Sequence, residues 1–400
     1  MSRTADYTVQ GFLYQFHKGL YELLDSTDET EITVEGIVED IDVTVEDGIR
    51  AIQCKYHEAK TVFNLSDIYK PVLQMMEHFY QNGNVSKNVK YVLFAYFPNY
   101  EGTTFALTEE HINEIFESKN KTYQRYINLL KGNLKINDFL SCFELEFGPS
   151  MEKLVEDIQQ RFEQEGFDKV DIETLLYPNA IQKIAEISSK HTVQQRGIVK
   201  KDFIHNLKRI RKTAITKWTM ALKNYRQILK TRKDQLRINL QQNSRSRYFV
   251  IKDNVVKDFD VHIVNFMKEY CDKYFVKPIQ NKTPLFCIDC PKEKLLEIER
   301  RLFEKGINTE TGKIGQAFYK TRFVREPMVK TKNGKILERE FDVKLLHYSN
   351  FDVIKEHKCD DLFLISNNLD IDIKDVEVEK IELSTFDEIK YILGMRATYE

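Results

Sequence analysis

The stretch "EGIVEDIDVTVEDGIRAIQCKYHE", residues 35–58, decides the fold of the first part of the chain. Apolar and polar residues alternate on both sides of Asp47-Gly48, a dipeptide typical of two-residue hairpin turns because both positions tolerate positive φ. With this dipeptide as the loop, Val43 pairs with Ile52, and alternation separates two faces. The apolar face then holds Ile41, Val43, Val45, Ile52, Cys54 and Tyr56, and the polar face holds Asp40, Asp42, Gln53 and Lys55.

The polar face permits two interpretations. One is an exposed hairpin surface on which Asp40 and Lys55 form a cross-strand ion pair. The other is a metal-dependent nuclease site, in which Asp40, Asp42 and Gln53 offer oxygen ligands to Mg²⁺ and Lys55 orients the attacking water or the phosphate. Spacing alone does not decide between them, because acid-x-Lys triplets recur by chance at 117–119, 356–358 and 388–390.

The segments around the hairpin predict an α/β core. Apolar residues at helical spacing predict an amphipathic helix over residues 8–24, with Phe12, Phe16, Leu20 and Leu23 on its buried face. A second helix is expected to begin at an N-cap, Ser66. Continuous apolar runs predict buried strands at 90–97 and 142–147. We therefore expect a central mixed sheet flanked by helices.

This order of motifs resembles the PD-(D/E)XK nuclease superfamily. Within it, the chain is most similar to the double-strand DNA endonuclease domains of bacterial anti-phage effectors in CBASS and Lamassu systems. The resemblance covers roughly residues 8–100, with a looser match to about residue 215. It rests on Gly11-Phe-Leu-Tyr-Gln15, Glu35, Glu39-Asp40-Ile41 and Ile52-Gln53-Cys54-Lys55-Tyr56.

The resemblance implies a role for each of these polar residues. Asp40 would be the metal-binding aspartate, Gln53 the second ligand and Lys55 the catalytic lysine. Gln15 and Glu35 would support the site at its edge. Asp42 lies on the same predicted face, so it stays open as an alternative metal ligand. The implied fold of this part is restriction-endonuclease-like.

The composition predicts two or three globular domains in 400 residues, of which 42% are hydrophobic. We assign 1–150 to the nuclease-like domain, 151–246 to a helical, strongly basic segment, and 247–400 to a small α+β regulatory or assembly domain. In the middle segment, apolar residues at helical spacing predict one long helix from Phe203 to Leu229, continuing to about 240.

Positive charge is concentrated between Arg196 and Arg247. This segment contains sixteen Lys or Arg residues and only two acidic residues, so its net charge is +14 in a chain whose net charge is −2. Such a segment is typical of a DNA-binding surface, and it also suits the docking of an acidic partner. Both interpretations stay open. The residues predicted to contact DNA are Lys208, Arg209, Arg211 and Lys212.

Other motifs limit the function. The chain has neither a GxxxxGK[ST] phosphate loop nor a GxSxG nucleophile motif, so ATPase and serine hydrolase activities are not expected. The Cys287-x-x-Cys290 pair has the spacing of half a zinc site but lacks a second half, which favours two buried thiols. Without a visible secretory signal or membrane span, and with six scattered cysteines, a cytoplasmic protein is expected.

The sequence thus predicts a Mg²⁺-dependent endonuclease, with Mn²⁺ as a substitute, that hydrolyses double-stranded DNA as a bacterial anti-phage effector. The lack of an ATP motif suggests a separate SMC-like ATPase and other defence subunits as partners, as in Lamassu. The family also implies homo-oligomerisation on activation and no membrane partner. The alternative is a non-catalytic DNA-binding or scaffold subunit that keeps a nuclease fold.

Overall fold

The computed structural model describes residues 3–36, 38–85, 88–277, 280, 282–333, 335–366, 371 and 373–399, with the side chains of 3–7, 335 and 336 excepted. The chain divides into two compact units, unit 1 (Met1–Arg211) and unit 2 (Lys212–Glu400). The boundary falls inside the segment predicted as a helical, basic middle region. The functional division into three parts stays a prediction.

Within the described residues, unit 1 contains a seven-stranded mixed sheet in the order β5-β6-β4-β3-β2-β1-β7. Strands β3, β4 and β6 run parallel to one another, and the other pairs are antiparallel. The strands are β1 (Glu31–Val34), β2 (Ile41–Val45), β3 (Gly48–Tyr56), β4 (Val89–Tyr96), β5 (Thr104–Phe105), β6 (Phe143–Phe147) and β7 (Gly197–Val199).

Helices cover both faces of this sheet. Tyr14 of the first helix contacts Tyr56 and Phe94 on one face, whereas the alternate residues Leu93 and Phe97 form the core on the other face with the second helix. The helices are α1 (Arg3–Asp25), α2 (Tyr69–Gln81), α3 (Glu109–Phe116), α4 (Gln124–Leu130), α5 (Ile136–Ser141), α6 (Met151–Gln164), α7 (Lys169–Asp171), α8 (Tyr177–Ser188) and α9 (Lys200–Lys208).

Most of the predicted elements of unit 1 are present, with two local differences. Phe16, Leu20 and Leu23 are buried as expected, but Phe12 is 40% exposed. Ser66 is not the N-cap of α2, because it lies within a short 3₁₀ turn, Leu65–Asp67, that precedes that helix. The strands predicted at 90–97 and 142–147 are confirmed as β4 and β6.

The hairpin of β2 and β3 pairs in a different register from the predicted one. Val43 lies opposite Arg50 and not opposite Ile52, so the two turn residues are Glu46 and Asp47. The predicted turn was therefore one residue too late.

Gly48 accounts for the difference. Its φ is 147°, and a Cβ there would lie 1.8 Å from the carbonyl oxygen of Asn88, so the chain needs glycine at this point inside the ladder. The register differs by two residues, which preserves the alternation of faces. Asp42 therefore still shares its face with Gln53 and Lys55, as the sequence predicts.

Unit 2 contains, within its described residues, a six-stranded sheet in the order β10-β15-β9-β8-β16-β17. All neighbouring strands in it are parallel, and the strand order reverses between β8 and β16, as in doubly wound sheets. Its strands are β8 (Arg247–Lys252), β9 (Leu285–Asp289), β10 (Thr309–Glu310), β15 (Val343–His347), β16 (Asp361–Ile365) and β17 (Glu377–Ile381).

Two small antiparallel pairs and six helices complete the described part of unit 2. The pairs are β11 (Lys313–Ile314) with β12 (Ala317–Phe318), and β13 (Val329–Lys332) with β14 (Lys335–Arg339). The helices are α10 (Tyr225–Leu240), α11 (Phe259–Tyr274), α12 (Lys292–Glu304), α13 (Lys320–Val324), α14 (Asp352–Glu356) and α15 (Phe386–Ile392). The α/β class of the chain is confirmed. The parallel sheet makes unit 2 itself α/β, where the sequence predicted α+β.

The long helix predicted from Phe203 to about 240 is wrong, because α9 ends at Lys208 and α10 begins at Tyr225. Threonines interrupt it. The Thr219 hydroxyl accepts from the Thr216 amide, and its one hydrogen is within reach of the carbonyls of Ala214, at 2.9 Å, and Thr216, at 3.1 Å, so side-chain bonds replace helical backbone bonds here. Helical spacing of apolar residues alone did not reveal this competition.

Two further findings concern predicted features. Cys287 and Cys290 are buried free thiols, which agrees with the interpretation favoured from sequence. In the described part of the chain, no helix combines the length and apolar character needed to cross a bilayer.

Candidate active site

The loop between β1 and β2 folds back on itself beside the hairpin. The Glu35 amide donates to the Asp40 carbonyl at 2.7 Å, and the Gly36 amide donates to the Glu39 carbonyl at 2.9 Å. Glu35 adopts a left-handed backbone conformation with φ 51°, which lets the chain reverse. The reversal brings Asp40 to the start of β2, next to β3.

Asp42 holds this loop through hydrogen bonds to its backbone. Its carboxylate accepts hydrogen bonds from the amides of Val38, at 3.0 Å, and Glu39, at 3.2 Å. A Cβ at Gly36 would lie 2.3 Å from the Asp42 Oδ2, so the loop packs on this carboxylate only because residue 36 is glycine. Both carboxylate oxygens are engaged within the protein, and this favours Asp40 over Asp42 as the principal metal ligand.

The Asp40 carboxylate lies against the backbone of β3. Its Oδ2 accepts a hydrogen bond from the Cys54 amide at 2.8 Å, which places it beside the peptide that joins Gln53 to Lys55. Burial raises the pKa of Asp40, while Lys55 and the Cys54 amide oppose this rise. The Asp40 carboxylate therefore lies on the segment of β3 that carries the other two residues predicted as catalytic, Gln53 and Lys55.

Gln53 carries a buried oxygen that lacks a partner. The side chain is 7% exposed, and within the described residues its Oε1 accepts no hydrogen bond. Such a buried orphan acceptor is uncommon, because leaving it unpaired costs about 1–3 kcal/mol. An amide oxygen in this state is suited to a ligand that the protein itself does not supply.

A second carboxyl group, Glu39, stands next to Asp40. Burial raises the pKa of Glu39 to about 8, the negative charge of Asp40 raises it further, and Lys55 lowers it. Sequence reasoning included Glu39 in the family motif but gave it no role. Two adjacent half-buried carboxyl groups with raised pKa values are what a cation would stabilise in their ionised forms.

The predicted supporting residues meet at the same loop. The Gln15 amide of α1 donates to the Glu35 carboxylate at 2.9 Å, and it lies 3.5 Å from the Asp40 carbonyl oxygen. Arg196, which the sequence analysis placed only in the basic segment, donates to the Glu35 carbonyl at 2.9 Å. Gln15 and Glu35 therefore hold the backbone on either side of the loop.

His57 follows the motif on the same predicted face as Lys55, where the sequence favours a solvated side chain over one that contacts DNA or water at the site. Its Nε2 is instead buried, without a hydrogen-bond partner among the described residues, and its ring lies 4.7 Å from the ring of Phe97. Burial lowers the pKa of His57, with Lys60 as a smaller cause in the same direction. Alternation along β3, extended one residue beyond its end at Tyr56, is the sequence signal for this position.

The residues present fit a Mg²⁺ ion. Asp40 and Gln53 supply oxygen ligands, the kind that Mg²⁺ prefers, and the unpartnered Gln53 Oε1 is explained by such a ligand. The described residues contain no cluster of three His, Cys, Asp or Glu side chains able to hold a metal. This agrees with a site of one carboxylate and one amide, because Mg²⁺ in proteins commonly keeps several waters and substrate oxygens.

The basic segment is partly neutralised by ion pairs within each unit. Lys200 forms an ion pair with Glu165, Arg232 with Glu379 and Arg245 with Asp361. Of the residues predicted to contact DNA, Lys208, Arg209 and Arg211 are exposed in unit 1. Lys212, in unit 2, forms ion pairs with Glu377 at 2.6 Å and Glu379 at 2.7 Å. Contact with DNA stays a prediction for all four.

The chain was compared with family models, curated proteins and solved structures. No family model and no curated protein matches the chain. Among solved structures, it is similar to the Cap4 SAVED/CARF-domain containing receptor of Acinetobacter baumannii with the cyclic trinucleotide 2'3'3'-cAAA. The two are 10% identical over 97% of this chain and 94% of that chain, with a TM-score of 0.25.

Two further structures match at the same level. The Moraxella osloensis Cap4 SAVED/CARF-domain containing receptor is 11% identical over 99% of this chain and 94% of that chain, with a TM-score of 0.21. The A. baumannii receptor with 3'3'3'-cAAA is 9% identical over 96% and 93%, with a TM-score of 0.22. Similarities with TM-scores below 0.5 carry no argument about this chain.

Proposed function

We propose that unit 1 is a divalent-metal-dependent DNA endonuclease. The observation that carries the proposal is the Asp40 carboxylate, which accepts a hydrogen bond from the Cys54 amide at 2.8 Å on the segment of β3 that also carries the unpartnered Oε1 of Gln53 and the ammonium group of Lys55. A hairpin with only a structural role needs no buried acceptor without a partner. A phosphodiester-hydrolysing site needs an oxygen-ligand set and a nearby cation.

Each residue of this site has a chemical task. Mg²⁺ or Mn²⁺, when bound by Asp40 and Gln53, supplies an activated water and neutralises charge on the scissile phosphate. Lys55 places a positive charge on the same face of β3, where it orients the nucleophile or stabilises the phosphate oxygens. Gln15 and Glu35 keep the loop in the conformation that presents Asp40.

Double-stranded DNA is the proposed substrate, and an anti-phage effector is the proposed setting. Both rest on the resemblance of residues 11–15, 35–41 and 52–56 to the nuclease domains of such effectors. The exposed side chains of Lys208, Arg209 and Arg211 would add sequence-independent affinity for the DNA backbone. A separate SMC-like ATPase, other defence subunits and self-association on activation belong to the same proposal.

Cleavage of linear and supercoiled double-stranded DNA with Mg²⁺ or Mn²⁺ tests the activity, with the chain alone and with the proteins encoded beside it. Lys55→Ala and Asp40→Ala should each reduce cleavage at least about 100-fold, because the first removes the positive charge that would stabilise the reacting phosphate and the second removes the proposed metal ligand. Lys90→Ala removes an exposed lysine at the start of β4 and serves as the control. Equal cleavage by Lys55→Ala and wild type would contradict the proposal.

A non-catalytic DNA-binding or scaffold subunit is the second candidate. The neutral Gln53 favours it, since an amide holds a cation less strongly than the carboxylate that is common at this position of the superfamily. The two functions differ in metal binding, which calorimetry with Mn²⁺ measures directly. Binding that Asp40→Ala abolishes supports the nuclease. Absence of binding, with DNA affinity intact and no cleavage in any mixture, supports the scaffold.

A further inference from the structure

A cavity of about 330 Å³ lies at the amino-terminal end of the parallel sheet of unit 2. Its walls come from the starts of β8, β9 and β15 and from the segments around α13 and α14. This is the sheet end opposite to the one at which doubly wound sheets usually bind ligands, so fold analogy does not suggest a site here. The residues that matter are Tyr248, Thr283, Phe323, Lys344, His357 and Lys358.

Lys344 is a buried cation without a carboxylate partner. It is 5% exposed, its Nζ donates to the Val324 carbonyl at 3.2 Å, and no described carboxylate forms an ion pair with it. Burial lowers the pKa of this ammonium, and the more distant Glu326 and Glu310 raise it. An unpaired buried ammonium is costly, and the buried ion pairs elsewhere in unit 2 show that this unit otherwise avoids the cost.

Thr283 provides a second, independent observation. It lines the same cavity, is 4% exposed, and its hydroxyl has no hydrogen-bond partner among the described residues. A buried hydroxyl without a hydrogen-bond partner and a buried ammonium group without a carboxylate partner, in one cavity, are complementary to one kind of group, an anion rich in acceptor oxygens.

The other charged groups at the cavity have the same predominant sign. Lys282 and Lys358 line it together with Glu326, and burial lowers the pKa of His357, a further lining residue. Lys358 is already engaged with the Lys374 carbonyl at 2.7 Å and with Asp375 at 3.5 Å, so its charge is partly balanced. Phe323 and the ring of Tyr248 form an apolar side of the cavity.

We propose that this cavity binds the phosphate group of a small phosphate monoester, with Lys344 and Thr283 as its buried contacts. The volume suits one small molecule, at the lower end of the about 300–1,000 Å³ typical of ligand sites. It is too small for a duplex. The site requires nothing from the proposed nuclease activity.

Calorimetric titration of the full chain with inorganic phosphate and with adenosine 5′-monophosphate, at constant ionic strength, tests this proposal. We expect saturable binding that Lys344→Met and Thr283→Val each weaken at least 10-fold. Lys355→Met, which removes an exposed lysine of α14 paired with Asp352, should bind as wild type does. Both variants of the site keep the size of the side chain, and a thermal melt confirms that they fold.

Two results would overturn the proposal. One is the absence of saturable binding of either probe to wild type. The other is equal binding by wild type and Lys344→Met. A short DNA duplex forms a further arm: affinity for it that depends on Lys344, without affinity for either small probe, would assign the anion to DNA and reject a small ligand. Lys55→Ala should leave phosphate binding unchanged, so a failure of the nuclease proposal is distinguishable from a failure here.

Discussion

The β2–β3 hairpin of unit 1 and the ion-paired interior of unit 2 differ in how they treat buried polar groups. In unit 1, the hairpin that carries Asp40 leaves the Gln53 Oε1 and the His57 Nε2 unpartnered among the described residues and holds two carboxyl groups whose pKa values are raised. In unit 2, Arg232 pairs with Glu379, and Arg247 with Asp361, in the interior. A buried polar group without a partner indicates a candidate binding site, whereas a buried ion pair indicates a structural role.

The buried ion pairs of unit 2 reduce the positive charge that the basic segment presents on the surface. Its local charge of +14 suggested one electrostatic surface, yet Arg232, Arg245 and Arg247 are used inside unit 2 by carboxylates far along the chain. What remains for an external polyanion is the exposed part, such as Lys208, Arg209 and Arg211 in unit 1. A count of charges in sequence overstates the surface available to DNA.

Breaking the paired interior of unit 2 should have the largest effect. Glu379→Ala leaves the guanidinium of Arg232 buried without its carboxylate, so the free energy of unfolding should fall by about 3–5 kcal/mol. Trp218 is the only tryptophan and lies in unit 2, so its fluorescence during urea unfolding reports this transition. Glu377→Ala, at a partly exposed carboxylate, should cost about 1 kcal/mol or less. Equal losses would contradict the comparison.

His17 tests whether a titratable group in unit 1 is held neutral. Its Nδ1–H donates to the Leu13 carbonyl and its Nε2 accepts from the Tyr177 hydroxyl, and burial lowers its pKa to about 4. Between pH 6.5 and 4 the unfolded chain therefore binds a proton that the folded chain does not, so stability falls as the pH drops. At pH 5 the loss relative to pH 7.5 should be about 2 kcal/mol.

The measurement compares wild type with His17→Gln by urea unfolding at both pH values. Circular dichroism follows the whole chain, and Trp218 fluorescence identifies the transition of unit 2. Wild type should lose about 2 kcal/mol more than the variant on acidification. His191→Gln, at an exposed histidine, should behave as wild type does. If wild type and His17→Gln are equally sensitive to acid, the ring is not held neutral.

Gln53 sharpens the comparison at the site itself. Gln53→Met keeps the shape of the side chain and removes the orphan oxygen, so without metal the free energy of unfolding should rise by about 1 kcal/mol. The same variant should bind Mn²⁺ more weakly than wild type in calorimetry. Thermal melts in EDTA and in Mn²⁺ separate the two effects. A less stable variant in EDTA would mean that the oxygen has a partner in solution.

The smallest effect is expected at the exposed basic residues. Replacing Lys208, Arg209 and Arg211 together by Gln should lower the salt dependence of DNA binding, the slope of log K against log salt, by about 3. Fluorescence anisotropy with a short duplex at several salt concentrations measures it. Lys70, Lys119 and Lys121, also exposed in unit 1, form a control triple. An unchanged slope would assign the basic residues to an acidic partner protein.

Features that depend on neighbouring residues in the sequence could be predicted, whereas features that depend on contacts between distant residues could not. Alternation placed Asp42, Gln53 and Lys55 on one face even though the turn was misplaced, because an error of two residues preserves the face. The role of Asp42 depends on the positions of the Val38 and Glu39 amides beside its carboxylate, and alternation contains no information about that.

The charge pairs and the second sheet required tertiary information. Lys212 pairs with Glu379, 167 residues away, and no local pattern connects the two. The alternation of strands and helices after residue 247 was visible, but the parallel pairing was not, because a strand's own residues do not specify the direction of its neighbour. Between α9 and α10, the hydroxyl of Thr219 forms a hydrogen bond with the Ala214 carbonyl, and the periodicity of apolar residues contains no information about such bonds.

The edge of the first sheet has a consequence for synthesis on the ribosome. β1 is covered by β7, and about 165 residues separate the two strands, which at about 5–20 residues per second takes about 8–33 s to translate. During that interval β2 and β3 can pair while the outer edge of β1 lacks its partner. The nascent chain therefore exposes an open strand edge until residue 199 emerges, and a chaperone or a second nascent copy competes with β7 for it.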